Sequence, residues 1–202
     1  MNFWRIPDLS ENFVIFNDDY FVLNPIEERY FFENDFTCDE AVESPIMPVD
    51  VGSISGYACW TKANNIILLN KHFNKRIVQE KNRDKWFNPC YGELLERNER
   101  LSYWNNFCGF HDPHLPNSLR KSTMKSIWEE EPAALDIASR NVFRAENDIS
   151  WFLVRYWQLC TGEFVPRKAL GKTVVVTSDN FDDVAEFIVN RELPFICICR
   201  SL

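Results

Sequence analysis

The C-terminal segment of this chain restricts the fold most. Two β-prone apolar runs, at residues 172–178 and 194–201, flank an amphipathic stretch at 180–193. A strand–helix–strand unit of this kind joins two parallel strands, because parallel neighbours need a long crossover whereas antiparallel ones need only a short turn. The sequence therefore predicts an α/β fold in which residues 171–202 form a strand–helix–strand segment of the same domain as residues 1–170.

The composition excludes several classes of protein. The 202 residues are 46% hydrophobic and 15% aromatic, which is enough to build a buried core and argues against disorder. With 30 acidic and 22 basic side chains the net charge is −8, so nucleic acid is not an expected partner. An anionic substrate would need a local cluster of Arg and Lys. No apolar run approaches the ~20 residues that span a bilayer, so no transmembrane segment is expected.

The cysteines predict free thiols. Their number, seven, is odd, and no pair has the C-x-x-C spacing of zinc or redox sites. This usage is typical of reduced thiols in a cytosolic protein. Cys197 and Cys199 alternate with isoleucine in the run FICIC, which predicts two small apolar side chains on one face of a strand.

Apolar periodicity organises the rest of the chain. The runs at 13–16 and 20–23 predict a strand, a turn at Asn17-Asp18-Asp19 and a second strand. Irregular chain with at most one strand is expected at 33–56, irregular chain at 111–122 and a short helix at 25–32. Longer helices are predicted at residues 62–88, 88–109 and 148–161, the last closed by Gly162. One or two helices are predicted at 122–139, with Ser122 or Thr123 as the cap of the first.

Asn17, Asp18 and Asp19 are the first candidate site residues. Two carboxylates at a strand end offer the hard oxygen ligands that divalent cations prefer, as a sugar-nucleotide transferase needs where a diphosphate binds. Asn and Asp are also favoured in plain turns, so the tripeptide alone does not choose between a cation site and a solvated turn.

A second candidate is the loop that carries His111, Asp112 and His114. These three could ligate a metal, but zinc needs three or four ligands and the only other histidine is His72. A single imidazole acting in proton transfer is simpler, because its pKa lies near neutrality. A loop histidine that only hydrogen-bonds is the competing interpretation.

The third candidate precedes the most aromatic predicted helix. Arg144 is followed by Asn147 and Asp148 at the expected helix start, where an arginine fork and backbone donors could bind phosphate. Arg120 and Lys121 could add to a local positive patch. The alternative is a helix cap beside a solvated arginine, while the aromatic WFLVRYW run itself has the spacing of a buried helix face.

In order, these places resemble the Stealth family of sugar-phosphate transferases. The matching segments are IPDLSENFVIFNDDYFVLNP, FHDPHLPNSLRKSTMKSIWEEEPAALD and NVFRAENDISWFLVRYWQLCTGEFVP, from Ile6 to Pro166. The family contains bacterial capsular and exopolysaccharide phosphotransferases and is related to the catalytic subunit of N-acetylglucosamine-1-phosphotransferase. The resemblance implies a mixed sheet flanked by helices, with a glycosyltransferase-A or Rossmann-like core.

The resemblance also implies an activity. Such enzymes transfer a hexose-1-phosphate from a UDP-sugar to a hydroxyl of a glycan or lipid-linked glycan and release UMP, with Mg²⁺ or Mn²⁺ as the expected cofactor. An enzyme of this kind is expected in the cytoplasm, and peripheral association with the inner face of the cytoplasmic membrane is left open.

The family's site residues map onto this sequence by motif. Asn17 and Asp19 match the catalytic pair, Asp18 and Asp19 the expected metal ligands, and His114 rather than His111 the family's histidine. The motif matches Arg144 to the family's arginine, in catalysis and phosphate binding, and Asp148 to the acid that follows. Arg120 and Lys121 complete the expected phosphate-binding group.

The chain departs from the family pattern at its start. Family members carry an earlier block, a strand that ends in an acidic loop and helps to bind the nucleotide-sugar. Here Met1 lies a few residues before the second block, so residues 1–170 are expected to be the C-terminal part of an N-terminally truncated catalytic domain. There are two alternatives to a sugar-phosphate transferase. One is a metal-dependent glycosyltransferase that releases UDP, and the other is a non-catalytic remnant that binds a partner or glycan.

Overall fold

A computed structural model describes residues 1–47 and 54–199 and confirms a mixed α/β fold. Its strands are Asn12–Ile15 (β1), Tyr20–Val22 (β2), Phe32–Glu33 (β3), Phe36–Asp39 (β4), Asn117–Arg120 (β5), Phe164–Pro166 (β6), Gly171–Val175 (β7) and Phe195–Cys199 (β8). Its α-helices are Ile54–His72 (α1), Lys75–Lys81 (α2), Arg83–Trp86 (α3), Leu95–Leu101 (α4), Lys121–Glu130 (α5), Pro132–Ser139 (α6), Phe152–Thr161 (α7) and Phe181–Asn190 (α8). Short 3-10 turns form at Phe3–Arg5, Glu28–Tyr30 and Pro89–Leu94.

The described strands lie in three small sheets, whereas the sequence predicts one mixed sheet. β1 pairs with β5 in an antiparallel ladder. β8 lies between β2, which is antiparallel to it, and β7, which is parallel. β4 lies between antiparallel β3 and parallel β6. Two of these sheets are therefore mixed.

The strands on either side of Asn17–Asp19 form as predicted but do not pair with each other. The chain does turn there, with the N–H of Tyr20 donating to the carbonyl of Asn17 at 3.3 Å. However, Ile15 at the end of β1 lies opposite Asn117, and Tyr20 at the start of β2 lies opposite Cys197. An apolar run indicates a strand, but non-local packing selects its partner. The turn consequently connects two sheets.

The C-terminal unit forms as the sequence predicts. β7 and β8 are parallel neighbours with Thr173 opposite Cys197, and α8 provides the crossover. Val184 and Phe187 of α8 are buried against Ile196 of β8. Because β8 also pairs with β2, this unit and the turn at Asn17–Asp19 meet in one sheet.

Two predicted helices have different bounds. α1 begins earlier than residue 62, and the helical run is broken at Asn74, whose side chain accepts from the N–H of Ile77 at 3.2 Å and so caps α2. The helix predicted at 88–109 ends at Leu101. In the predicted irregular stretch 33–56, β4 and the start of α1 form, and residues 48–53 lie outside the described part.

The region after the histidine loop also differs from the prediction. The loop contains β5, and α5 follows it with Arg120 as its N-cap residue instead of Ser122 or Thr123. The carboxylate of Glu11 accepts from the N–H of Ser122 at 3.2 Å, so a distant residue supplies the cap. This satisfies a donor at the helix start that has no partner within the helix.

α7 is shorter than predicted at its start. The Asp148 carboxylate accepts from the N–H of Ala145 at 3.0 Å, which closes a separate turn, and the helix begins at Phe152. Gly162 ends α7 in the left-handed conformation at φ 79°, as predicted. α7 is buried along most of its length, which confirms the aromatic run as core rather than surface.

Among the described residues, no helix is long and apolar enough to cross a membrane, as expected. All seven cysteines are free thiols.

Candidate functional site

The turn at Asn17–Asp19 is fixed against β8. The N–H of Ile198 donates to the carbonyl of Asp19 at 3.0 Å, which extends the β2–β8 ladder into the turn. Asn17 and Asp19 are half-buried, whereas Asp18 is exposed. The turn therefore presents Asn17 and Asp19 inward and Asp18 to solvent.

His114 meets this turn from the other side. Its Nε2 lies 3.1 Å from the amide Nδ2 of Asn17, and its Nδ1 lies 3.7 Å from Oδ2 of Asp19. The ring also contacts Tyr20 edge-on, with ring centroids 5.0 Å apart. The hydroxyl of Thr173 donates to the carbonyl of His114 at 3.3 Å, which ties the loop to β7. Three residues matched by motif, Asn17, Asp19 and His114, thus form one cluster.

Two cysteines complete this cluster. Sγ of Cys197 lies 3.2 Å and Sγ of Cys199 lies 3.6 Å from Nδ1 of His114, and the two sulfurs are 3.5 Å apart. The prediction that both thiols share one face of a strand is confirmed. The two thiols also contact the imidazole of His114, so they do more than pack as small apolar side chains. The spacing of the two cysteines in FICIC was the sequence signal for this pair of thiols. Their contact with His114 depends on the pairing of strands that are far apart in the sequence.

Burial raises the pKa of two groups in the cluster, Tyr20 and Cys197. The pKa of Tyr20 is raised well above its ordinary value, first by burial and then by the nearby Cys197 and Asp19. Burial also raises the pKa of Cys197, and contact with Cys199 and Asp19 adds to this. The phenol and this thiol are therefore uncharged at neutral pH in the free protein, while the His114 side chain keeps 38% of its surface exposed.

The two aspartates provide the type of ligand that a cation held jointly with phosphate requires. Mg²⁺ usually takes one or two protein carboxylates and completes its shell with water and substrate phosphate oxygens. Asp18 is exposed, and within the described residues Oδ1 of Asp19 is shielded from solvent without a hydrogen-bond partner. Both carboxylates consequently have free oxygens to offer.

The other half of the histidine loop belongs to a separate network. His111 Nδ1 contacts a carboxylate oxygen of Glu40, and the other carboxylate oxygen of Glu40 accepts from the N–H of Ala169 at 3.1 Å. Burial raises the pKa of Glu40, but the hydrogen bonds from His111 and Ala169 and the charge of Arg155 outweigh it, so the net pKa lies below its usual value. His111 and His114 therefore do not act on one ligand.

Arg155 of α7 lies at the centre of that network. Its guanidinium is fully buried and forms a fork on Asp39, with Nε 2.8 Å from Oδ2 and Nη2 2.9 Å from Oδ1. Nη1 donates to Oδ1 of Asp112 at 2.9 Å and to the carbonyl of His111 at 3.1 Å. The Tyr156 hydroxyl donates to the other Asp112 oxygen at 2.7 Å. This network fixes the loop that carries His114, and the charge inside an otherwise apolar helix was its sequence signal.

Arg144 and Asp148 belong to the turn that precedes α7. Arg144 is exposed and makes no hydrogen bond or ion pair within residues 1–47 and 54–199. Asp148 accepts from the amide of Asn141 at 2.7 Å and stabilises its own turn. No hydrogen bond or ion pair joins either of them to the His114 cluster in the described chain.

Arg120 and Lys121 are engaged in structural contacts. Nη1 of Arg120 lies 3.0 Å from a carboxylate oxygen of Glu163. The ammonium of Lys121 donates to the carbonyls of Ile6 and Leu9 at 2.9 and 3.2 Å. Both side chains thus hold neighbouring segments together.

Curated relatives cover almost the entire chain. It is 36% identical over 199 residues to a capsular polysaccharide phosphotransferase, WcwK, of Streptococcus pneumoniae, a match that covers 98% of this chain and 58% of the relative. It is 39% identical over 168 residues to the exopolysaccharide phosphotransferase cps2G of Lactiplantibacillus plantarum, covering 83% and 48%. A receptor polysaccharide phosphotransferase, WefC, of Streptococcus oralis is 33% identical over 81% of the chain and 48% of its own length.

The chain thus spans about half the length of the curated relatives that it matches. No family model matches the chain. The names of these relatives agree with the resemblance of the three sequence segments. Over most of its length, the chain is similar in sequence to bacterial capsular and exopolysaccharide phosphotransferases.

Proposed function

We propose that this chain forms part of a sugar-phosphate transferase of capsular or exopolysaccharide synthesis. The acceptor is a hydroxyl of a glycan or lipid-linked glycan, and the donor is a UDP-sugar. The acceptor oxygen attacks the phosphorus that is joined to the sugar through the sugar's anomeric oxygen. The bond from this phosphorus to the oxygen that bridges the two phosphates breaks, and UMP leaves with the bridging oxygen. One observation carries the proposal: remote segments bring Asn17, Asp19 and His114 together, in a chain homologous to phosphotransferases.

His114 accepts the proton of the acceptor hydroxyl in this proposal. Its imidazole is partly exposed, so an acceptor can reach it, and an imidazole base is effective near neutral pH. In the free protein Asn17 lies against Nε2 and the Asp19 carboxylate faces Nδ1. The acceptor hydroxyl displaces the Asn17 amide and gives its proton to Nε2, and Asp19 stabilises the imidazolium that forms. Proton transfer of this kind contributes about 10²–10⁴-fold to rate.

Charge neutralisation is the other requirement of phosphoryl transfer. Asp18 and Asp19 would hold Mg²⁺ or Mn²⁺, which neutralises charge on the donor diphosphate when bound. Arg144 is proposed as a phosphate contact because its exposed guanidinium has no competing partner in the described chain. Asp148 would act through the turn that carries Arg144. We assign Arg120 and Lys121 to the structural contacts that they already make.

The relative from Streptococcus pneumoniae is longer than this chain. We propose that residues 1–170 belong to the C-terminal part of a catalytic domain with a glycosyltransferase-A or Rossmann-like core, and that residues 171–202 belong to the same domain. A site in the cytoplasm, at the inner face of the membrane, would suit a lipid-linked acceptor.

Product analysis tests this function. The purified chain is incubated with UDP-sugars, glycan acceptors and Mg²⁺, and release of UMP is expected. His114→Gln and Asp19→Asn should lower turnover about 10²–10⁴-fold, and Arg144→Ala should lower it as well. His72→Gln is the matched control, because His72 pairs with Glu131 away from the cluster. Release of UDP alone would instead support the glycosyltransferase alternative. Lack of any product from the folded chain would favour the non-catalytic alternative.

A further inference from the structure

The side chains of Asp19, His114, Cys197 and Cys199 offer a second kind of chemistry. One carboxylate oxygen, one imidazole nitrogen and both sulfurs lie within 4.8 Å of one another. Two sulfurs and a nitrogen are the donors that zinc prefers, whereas Mg²⁺ prefers oxygen alone. The set is thus unlike the aspartate pair proposed to act with phosphate.

The distances match a tetrahedral zinc site. Zinc bonds of ~2.3 Å to sulfur and ~2.0–2.1 Å to nitrogen or oxygen place tetrahedral neighbours about 3.8 Å apart for two sulfurs, about 3.6 Å for sulfur and nitrogen and about 3.4 Å for nitrogen and oxygen. The corresponding separations here are 3.5 Å between the sulfurs, 3.2 and 3.6 Å from sulfur to His114 Nδ1, and 3.7 Å from Nδ1 to Asp19. The Asp19 oxygen lies within 4.8 Å of both sulfurs, so it would have to move closer to them for all four donors to bind one ion.

The fold holds the four donors in this arrangement before any ion binds. Cys197 and Cys199 lie on the central strand of their sheet, between β2 and β7. The N–H of Ile198 fixes the Asp19 backbone, and Thr173 fixes that of His114. Cys197 is fully buried, while the side chains of Asp19 and His114 are 28% and 38% exposed. An ion can therefore enter from the side of the carboxylate and imidazole and meet the thiols beneath.

A neighbouring residue can orient the imidazole. Nε2 of His114 contacts the side-chain amide of Asn17 at 3.1 Å. When a metal binds Nδ1, the proton of the imidazole is on Nε2. This N–H can donate a hydrogen bond to the side-chain oxygen of Asn17 after the Asn17 amide rotates. In most metal-binding histidines the second nitrogen has such a partner.

From this geometry we propose that Asp19, His114, Cys197 and Cys199 form a binding site for a thiophilic divalent cation such as Zn²⁺. Binding displaces the thiol protons to solvent and leaves both cysteines as thiolate ligands. The ion would occupy Asp19 and His114, so it would exclude them from sugar-phosphate transfer. Only that last consequence rests on the proposed function.

The test is direct metal binding to the reduced, metal-free chain. Zn²⁺ is titrated by calorimetry in the presence of excess Mg²⁺, and one ion per chain is expected. Cys197→Ser and Cys199→Ser should each weaken binding about 100-fold or more, since loss of even an outer contact costs about 10–100-fold. Cys90→Ser removes an exposed thiol elsewhere and should leave binding unchanged. His72→Gln removes a histidine–carboxylate pair in another part of the chain and should also have no effect.

Cobalt gives a measurement that does not depend on a variant's folding. Co²⁺ added to the unsubstituted chain should give the intense absorption bands of tetrahedral cobalt and of thiolate-to-cobalt charge transfer. A second substitution at the partly exposed Cys199, Cys199→Ala, should weaken these bands. An octahedral cobalt spectrum, zinc binding displaced by Mg²⁺, or unchanged affinity in both cysteine variants would each overturn the proposal. These outcomes leave the transfer proposal standing, because UMP release is measured separately.

Discussion

Replacement of Arg155 by methionine tests whether the buried ion network holds the histidine loop. The guanidinium bonds two carboxylates, Asp39 and Asp112, whose side chains are only 13% and 2% exposed. Burial lowers the pKa of Arg155, but the charges of Asp39 and Asp112 raise it more, so its net pKa lies above the ordinary value and it stays charged. The substitution would therefore remove the guanidinium from two buried carboxylates.

The expected loss of stability follows from the removal of the buried guanidinium. Removing one partner from a buried ion pair typically costs about 3–5 kcal/mol. For a chain of this size, each kcal/mol lowers the Tm by about 2–4 °C, so a decrease of about 6–20 °C is expected. Tyr156 and Lys62 still contact Asp112, which places the main loss at Asp39.

Thermal and urea unfolding, followed by circular dichroism, measure this loss. The control is Arg100→Met, which breaks an exposed pair with Glu96 and should cost only about 0.3–0.5 kcal/mol. Adding Asp39→Asn to Arg155→Met should recover part of the stability, since it removes the unpaired charge. A loss below about 1 kcal/mol, or no recovery in the double variant, would refute the reasoning.

Two further changes probe the loop and a helix end. Glu40→Gln should lower the free energy of unfolding at neutral pH. The pKa of Glu40 is lowered in the folded chain, so the advantage of the parent is present above the carboxyl pKa of the unfolded chain, about 4.3, and is lost as the pH falls through the folded value. Urea unfolding at several pH values checks this, and a difference that grows towards low pH would contradict it. Gly162→Ala should cost more than the ~1–2 kcal/mol of a left-handed backbone alone, because its Cβ would lie 2.3 Å from Oδ1 of Asn82. The same substitution in an Asn82→Ala background removes the clashing side chain and isolates the backbone part, and equal losses in the two backgrounds would show that no clash occurs.

Local sequence patterns predicted much of the secondary structure. The β7–α8–β8 unit, the buried aromatic helix and its end at Gly162 follow from periodicity and from the conformational freedom of glycine, which act over a few residues. The same is true of the turn at Asn17–Asp19. Helix starts were less predictable, because distant side chains such as Glu11 supply caps that no local motif contains.

Strand partners and the complete site were decided by tertiary structure. The continuous apolar runs at 13–16 and 20–23 indicate that β1 and β2 are strands, but they are equally compatible with pairing to each other and with the observed pairing to β5 and β8. The observed pairing brings His114 beside Cys197 and Cys199, which sequence spacing separates widely. The sequence by itself determined which side chains could do chemistry, and the packing of remote strands decided which of them meet. The physical reason is that local preferences select a backbone conformation, whereas burial of apolar faces between distant segments selects the partner.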